Sequence, residues 1–194
     1  MQAAVPLARN PVIAFESARF LVRPLVASDA TDRWSAWFAP ADMREALNMD
    51  SRPRTKAVMQ AYIAAFDQTS RLLLGAFDKA AGGLLVGIGS FRVDWRLRNV
   101  LMNVVIGEAA YRNAGVAFEL TGPLTDLFFE TLDLQSATAS ALVTNRAIRL
   151  HLKRAGWTHV TTLKSHSRRH SDGAMVDLCL FRLTREEWRA AKRI

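Results

Sequence analysis

The stretch from Val104 to Trp157 constrains the fold more than any other part of the chain. An apolar run ends at Gly107, the loop EAAYRNAG follows, and a helix-like segment starts directly after it. Over Ala117–Leu132 the residues Leu120, Leu124, Leu127, Phe128 and Leu132 share one helical face, and Pro123 is placed to kink it. Gln135–Val143 then reads as a strand. Asn145–Ala155 reads as a helix ended by Gly156, a residue suited to a left-handed cap. Strand, helix and strand in that order make a crossover, which sets its two strands parallel in one sheet.

The flanking segments read mostly as antiparallel structure. Arg19–Leu25 alternates enough to be a first strand, after a loose leader over residues 1–14. Ser28 and Asp29 are candidate caps for a short helix carrying Trp34, Trp37 and Phe38. A second helix fits Thr55–Gln68, with Val58, Ala61, Tyr62, Ala65 and Phe66 at helical spacing. Arg71–Asp78 and Leu84–Val93 are strand-like and joined by KAAGG, which predicts a hairpin, and Asn99–Gly107 is a further strand. Trp157–Leu163 and Ala174–Leu183 close the sheet. Thr184-Arg-Glu-Glu187 is a capping box that opens a terminal helix. The sum is an α/β (α+β) layer with a mixed, mostly antiparallel sheet of six to seven strands flanked by helices.

With 194 residues, 50% of them apolar and 23% charged, the chain suits one globular domain that buries about 70% of its extended surface. We expect residues 1–18 to form a leader and residues 19–194 a single domain. One cysteine, Cys179, excludes an internal disulfide framework and a multi-cysteine zinc site; no metal is expected. Cys179 has apolar neighbours and reads as core. The uncharged stretches are too short or too glycine-rich to span a bilayer, and the N-terminus lacks a basic start followed by an apolar core. A cytoplasmic protein without membrane contact is the expectation.

Lys plus Arg number 26 against 18 Asp plus Glu, a formal charge of +8 that favours anionic ligands. The densest basic run, Lys164–His170 (KSHSRRH), could touch a phosphate or RNA, but such runs are more often solvated loops. No RNA-recognition signature supports direct nucleic-acid binding.

The loop after Gly107 carries the chemistry. Arg112-Asn113-Ala114-Gly115-Val116-Ala117 has the pattern R-x-x-G-x-A. Gly115 allows a tight turn or a close ligand, and Ala117 has little side chain to block one. The first N–H groups of the following helix carry partial positive charge and suit a diphosphate, while Arg112 can add a full charge at the rim. Alone the pattern is weak, and an ordinary strand-loop-helix turn also explains it. It lacks the Gly-Lys-Ser/Thr of a P-loop and the G-x-G-x-x-G of a dinucleotide fold.

Several linked motifs together resemble the GNAT superfamily of acyl-CoA N-acyltransferases. They are YRNAGVAFEL (Tyr111–Leu120), Val143-Thr144-Asn145, and LHLKRAGW (Leu150–Trp157). In addition, DLCLFRLTREEW (Asp177–Trp188) is similar to the closing strand and tail of the ribosomal-protein N-terminal acetyltransferase (RimJ/RimL-like) branch. The likeness covers roughly Arg19 to Trp188.

The resemblance implies a V-shaped gap where the fourth and fifth strands, here Asn99–Gly107 and Gln135–Val143, splay apart. The pantetheine arm of acetyl-CoA would lie along Val104, Val105 and Ile106. Backbone amides of Arg112, Asn113, Ala114, Gly115, Val116 and Ala117 would hold the diphosphate. Asn145 would contact the pantetheine, cap its helix, or do both. The implied reaction moves an acetyl group from acetyl-CoA to a primary amine, on a protein N-terminus or a small molecule, by direct attack. A catalytically silent CoA-binding or interaction module on the same fold is the alternative, and an RNA-associated protein using KSHSRRH is a third reading.

Direct attack requires a deprotonated amine, donors for the thioester oxygen, and a proton for the leaving thiolate. Many family members carry a tyrosine seven positions after the asparagine; here that position is Leu152, with His151 beside it as the substitute candidate. For the base, Glu108 is the obvious carboxylate, with Asp94 and Ser90 (through water) as further options and Glu119 read as structural. Trp34 and Trp37 sit on the helix that walls the family's acceptor pocket. The sequence leaves the acceptor, the acyl chain length and the oligomeric state open, a homodimer among them.

Overall fold

The computed structural model describes residues 13–193. The strands are β1 (Phe15–Glu16), β2 (Phe20–Pro24), β3 (Arg71–Asp78), β4 (Leu84–Asp94), β5 (Asn99–Ile106), β6 (Ser136–Leu142), β7 (Thr158–Arg168) and β8 (Met175–Thr184). The helices are α1 (Asp32–Ala36), α2 (Ala41–Ala46), α3 (Lys56–Ala64), α4 (Val116–Asp126), α5 (Arg146–Arg154) and α6 (Arg185–Ala191). One eight-stranded sheet runs β1-β2-β3-β4-β5-β6-β8-β7, and only β5 and β6 pair in parallel. That parallel pair is the one required by the crossover through α4.

The sheet has a hydrophobic core on each face, which explains the continuous apolar run of β3. Leu72, Leu74 and Ala76 of β3 pack with Phe128, Phe129 and Trp188 on one side. Leu73 and Phe77 pack with Trp34, Phe38, Met59 and Ile63 on the other. Alternate side chains point to opposite faces, so a strand covered on both sides must be apolar throughout. Phe128 meets Phe91 edge to face, with ring centroids 5.4 Å apart. Burying such a ring contributes about 1.5–3 kcal/mol.

Several boundaries differ from the sequence reading. The sheet has eight strands rather than six to seven, because Phe15–Glu16, inside the expected leader, pairs with Leu21–Val22. Two residues are too few to show alternation. Residues 1–12 lie outside the described residues. Helix α1 is capped by Thr31, whose Oγ1 accepts from the Trp34 amide at 3.2 Å, not by Ser28 or Asp29. Asp29 instead pairs with Arg23 at 2.8 Å.

Helix α2 has no counterpart in the sequence reading. Its six residues follow Pro40 and bury only Met43. Pro123 lies inside α4, and the chain winds wider from Leu127 to Thr131 before the helix ends. Strand β7 extends through Arg168, so most of KSHSRRH is strand rather than loop. Cys179 is buried, as its neighbours predict.

Candidate active site

Strands β5 and β6 are paired over Asn99–Met102 and Ser136–Ala139 only. Beyond that point each keeps its outer partner. Asn103 to Ile106 continue on β4, opposite Ser90 to Gly87, and Ser140 to Leu142 continue on β8. The inner edges therefore diverge, leaving backbone N–H and C=O groups that an extended ligand can satisfy. The expected V-shaped gap is present.

A cavity of about 960 Å³ occupies this gap. Met102, Asn103, Val104 and Val105 line one side, and Ser140, Leu142, Asn145 and Leu152 the other. Its mouth is walled by α1, α2 and α3 through Trp34, Leu47, Asn48, Arg54, Val58 and Tyr62. Helix α3 is turned differently from its sequence pattern. Met59 and Ile63 are buried, whereas Val58 and Tyr62, 44% and 40% exposed, are offered to the cavity. Ile106 points away from this cavity, into the core beneath α4.

The loop into α4 carries backbone amides without a protein acceptor, and two of the expected donors are otherwise engaged. Gly115 has φ +77° and Asn113 φ +60°, both in the left-handed region. The first bond of the helix runs from the Glu119 amide to the Gly115 carbonyl, 3.0 Å. Among the described residues the amides of Asn113, Gly115, Val116, Ala117 and Phe118 have no protein acceptor. The Arg112 and Ala114 amides, by contrast, are taken by the Ala109 and Tyr111 carbonyls at 3.2 and 3.3 Å. They are not free for a diphosphate. The Arg112 guanidinium donates to the Gly107 carbonyl at 2.8 Å rather than standing at the cradle rim.

Arg19, not among the residues expected here, stands beside the loop instead. Its guanidinium donates to the Ala114 carbonyl at 3.1 Å and pairs with Glu119 at 2.6 Å. No sequence signal marks this role, because the partners are about a hundred residues apart. The free amides, the bare Gly115 and the adjacent arginine fit the diphosphate end of a CoA thioester.

Glu119 is structural, as expected. It accepts from the Ser17 hydroxyl (2.6 Å) and the Arg19 amide (2.8 Å), tying the β1–β2 turn to α4. Burial alone would raise its pKa, but these donors and the Arg19 charge outweigh it and hold it below the usual 4.5. The stabilisation is therefore complete above pH 4.5 and is lost as pH falls through the lower folded value. Glu119→Gln is expected to lower the melting temperature at pH 7, with the gap to the unaltered protein closing below pH 4.5. A gap independent of pH would remove the charge from this account.

The candidate bases and acids are largely displaced from the cavity. Glu108 does not line it: Arg33 donates to its carboxylate at 2.8 Å and Trp37 Nε1 at 3.4 Å. The Arg33 bond depresses its pKa, which makes it a weak base. Asp94 accepts from the Leu97 amide in the β4–β5 turn. His151 faces α4, where Nε2 contacts Thr121 Oγ1 at 2.9 Å and its ring packs on Phe118 at 4.6 Å. Burial lowers its pKa. It does not replace the tyrosine absent at Leu152. Ser90 does line the cavity.

Asn145 caps α5 through its Oδ1, which accepts from the Ile148 amide at 3.3 Å. Its Nδ2 donates across the gap to the Ala46 carbonyl at 3.2 Å. The basic hairpin docks on the same end of α2, where Asn48 bonds the Arg168 carbonyl and the His170 amide at 3.0 Å each. Several of its charges are paired: Lys164 with Asp177 at 2.8 Å, and Arg169 with Asp172 at 2.9 Å.

Residues 19–158 match the acetyltransferase (GNAT) domain model, and the chain belongs to that family. Similar solved structures include the ribosomal-protein-S5-alanine acetyltransferase of Vibrio fischeri, 16% identical, TM-score 0.76, covering 91% of this chain and 98% of that one. Mycobacterium smegmatis RimJ, solved with CoA-disulfide, is 19% identical with a TM-score of 0.75, over 95% of this chain and 97% of that one. A spermidine N-acetyltransferase chimera from Vibrio cholerae is 13% identical with a TM-score of 0.72, over 87% and 98%. At such identities the likeness is one of fold. No curated protein matches the chain by sequence. Among the described residues no helix is long and apolar enough to cross a membrane, and no cluster of metal-ligating side chains occurs.

Proposed function

We propose that residues 19–194 act as one N-acetyltransferase domain that transfers the acetyl group of acetyl-CoA to a primary amine by direct attack. The observation that carries this reading is the β5–β6 gap opening beside the unoccupied amides at the start of α4. The amides of Gly115 to Phe118 and the Arg19 guanidinium bind the diphosphate. The free edge of Asn103 to Val105 pairs with the amide-bearing arm, and Asn145 orients its sulfur end. The acetyl carbon then faces the mouth walled by α1, α2 and α3. No metal is needed for this transfer.

The lining favours a particular kind of amine. The cavity wall carries Arg52 and Arg54 and no carboxylate, and both arginines share Asp50, at 2.5 and 3.0 Å. Two arginines on one aspartate leave a net positive charge, so a polycation entering here would meet like charge with no lining carboxylate to receive it. A peptide N-terminus or a small neutral or acidic amine is the better match.

The test is release of free thiol from acetyl-CoA across a panel of peptides, amino acids and spermidine. Turnover is expected with the peptide or amino-acid amines, at least tenfold faster than with spermidine. Acetyl-CoA that stabilises the protein without any turnover would support a silent CoA-binding module instead.

A further inference from the structure

We infer that Tyr62 is the residue that carries the proton of the transfer, giving it to the departing sulfur and regaining one from the amine by way of the Ser90 hydroxyl. This rests on the acetyl-transfer reading above. It adds a catalytic residue from a helix on the acceptor side, in place of one from α5.

Ionisable side chains line the cavity. Among the described residues these are Tyr62, Arg52 and Arg54. A guanidinium does not give up its proton near neutral pH. The α5 position that could have supplied a hydroxyl is Leu152, 1% exposed and packed in the core. The other tyrosine, Tyr111, bonds Asp78 at 2.9 Å and lines neither wall. Glu108 and His151 are engaged elsewhere. Among the described residues Tyr62 is the one lining side chain that can act as an acid in its own right, with the Ser90 hydroxyl as a relay.

Its position agrees with the task. Ser90 of β4 sits directly opposite Asn103 of β5. Asn103 is the first residue beyond the last β5–β6 pair, Met102 with Ala139. The Ser90–Tyr62 neighbourhood is therefore at the apex of the gap, where an arm laid along Val105 and Val104 ends. Helix α3 presents Tyr62 there because Met59 and Ile63 anchor its opposite side. Phe66 packs edge to face on the Tyr62 ring, with centroids 5.1 Å apart, and limits its rotation. Burial raises the phenol above its ordinary pKa of 10.0, with the Ser90 hydroxyl and the Arg71 charge pulling the other way. The group is protonated when the thiolate forms.

The step balances. The amine nitrogen forms a bond to the acetyl carbon, and the C–S bond breaks with its electron pair on sulfur. The phenolic proton passes to sulfur, giving the free thiol. The proton lost from nitrogen passes through the Ser90 hydroxyl and restores the phenol. The products are the amide and CoA.

Tyr62→Phe keeps the ring and its contact with Phe66, and tests the hydroxyl alone. With the best amine of the panel, kcat is expected to fall about 100-fold or more, the range of a general acid–base group, with KM for both substrates within about threefold. The solvent isotope effect on kcat should shrink toward unity. The rise in melting temperature caused by CoA should match that of the unaltered protein, a readout independent of turnover. A variant retaining a third or more of kcat overturns the assignment. So does loss of the CoA-induced shift, which would make Tyr62 a binding or structural residue. Failure of the unaltered protein to turn over any amine would strike the acetyl-transfer reading itself, a different outcome from an active Tyr62→Phe.

Discussion

Gly115→Val should abolish most of the thermal stabilisation that acetyl-CoA confers. A ligand at about 100 times its Kd adds about 2.7 kcal/mol to the folded state. For a chain of this length that corresponds to a rise of about 5–10 °C. Two effects remove it in the variant. Gly115 has φ +77°, where a β-branched residue is strained. A side chain there would also stand in front of the free amides of Val116 and Ala117. The protein itself leaves that space open, since a Cβ at 115 would meet nothing closer than the Arg19 guanidinium at 3.9 Å. The lost shift would therefore report blocked approach as well as backbone strain. Gly115→Asn separates the two, because asparagine tolerates the left-handed turn while still adding bulk. Both variants should lose the shift, and Gly115→Asn should keep the higher melting temperature without ligand. A Gly115→Val protein stabilised as strongly as the unaltered one would displace the diphosphate from this turn.

Gly107→Ala is expected to destabilise the fold by about 3 kcal/mol, near the upper end for overpacking a core. A Cβ at 107 would fall inside the indole ring of Trp37, which is 5% exposed and has nowhere to move. The melting temperature should drop by about 6–12 °C. This contact has a functional consequence. It presses α1 against the end of β5, so the helix that walls the acceptor side is fixed to the strand that leads into the cradle. Removing the ring in Trp37→Ala relieves the clash while creating a cavity of its own. The double variant should therefore lose less stability than the sum of the single changes, by about 1 kcal/mol or more. Additive losses, measured by denaturant unfolding, would show that the glycine and the indole are not coupled.

Much of the fold was legible along the chain, for identifiable reasons. Strand β3 is a nearly continuous apolar run because both of its faces are covered, and such a run survives any ambiguity of register. The turn into α4 was legible because a left-handed turn with free amides favours a bare residue, and Gly115 stands there with φ +77°. The capping box at Thr184 and Glu187 formed as the local pattern requires, with both reciprocal bonds present. Helix α2 escaped because six residues contain less than two turns of pattern. The apolar spacing of Val58 and Tyr62 in α3 suggested core, but the helix buries Met59 and Ile63 and turns the other two toward the cavity. Periodicity identifies an apolar stripe and is silent on whether protein or ligand covers it.

The candidate catalytic side chains were the least legible part. Glu108 occupies the expected place at the end of β5, yet Arg33, 75 positions away, neutralises it. His151 has suitable chemistry but faces Thr121 on α4. Tyr62 and Ser90 carry no shared motif and are brought to one cavity only because α3 and β4 both border it. Local sequence was enough for the order of the longer elements, the β-α-β crossover and the bare turn before α4, since each depends on residues close together in the chain. Tertiary structure alone decided which arginine reaches the cradle, which carboxylates are already paired, and which hydroxyl stands at the apex of the gap. Those outcomes depend on packing directions between segments far apart in sequence, where no local spacing constrains which side chains meet.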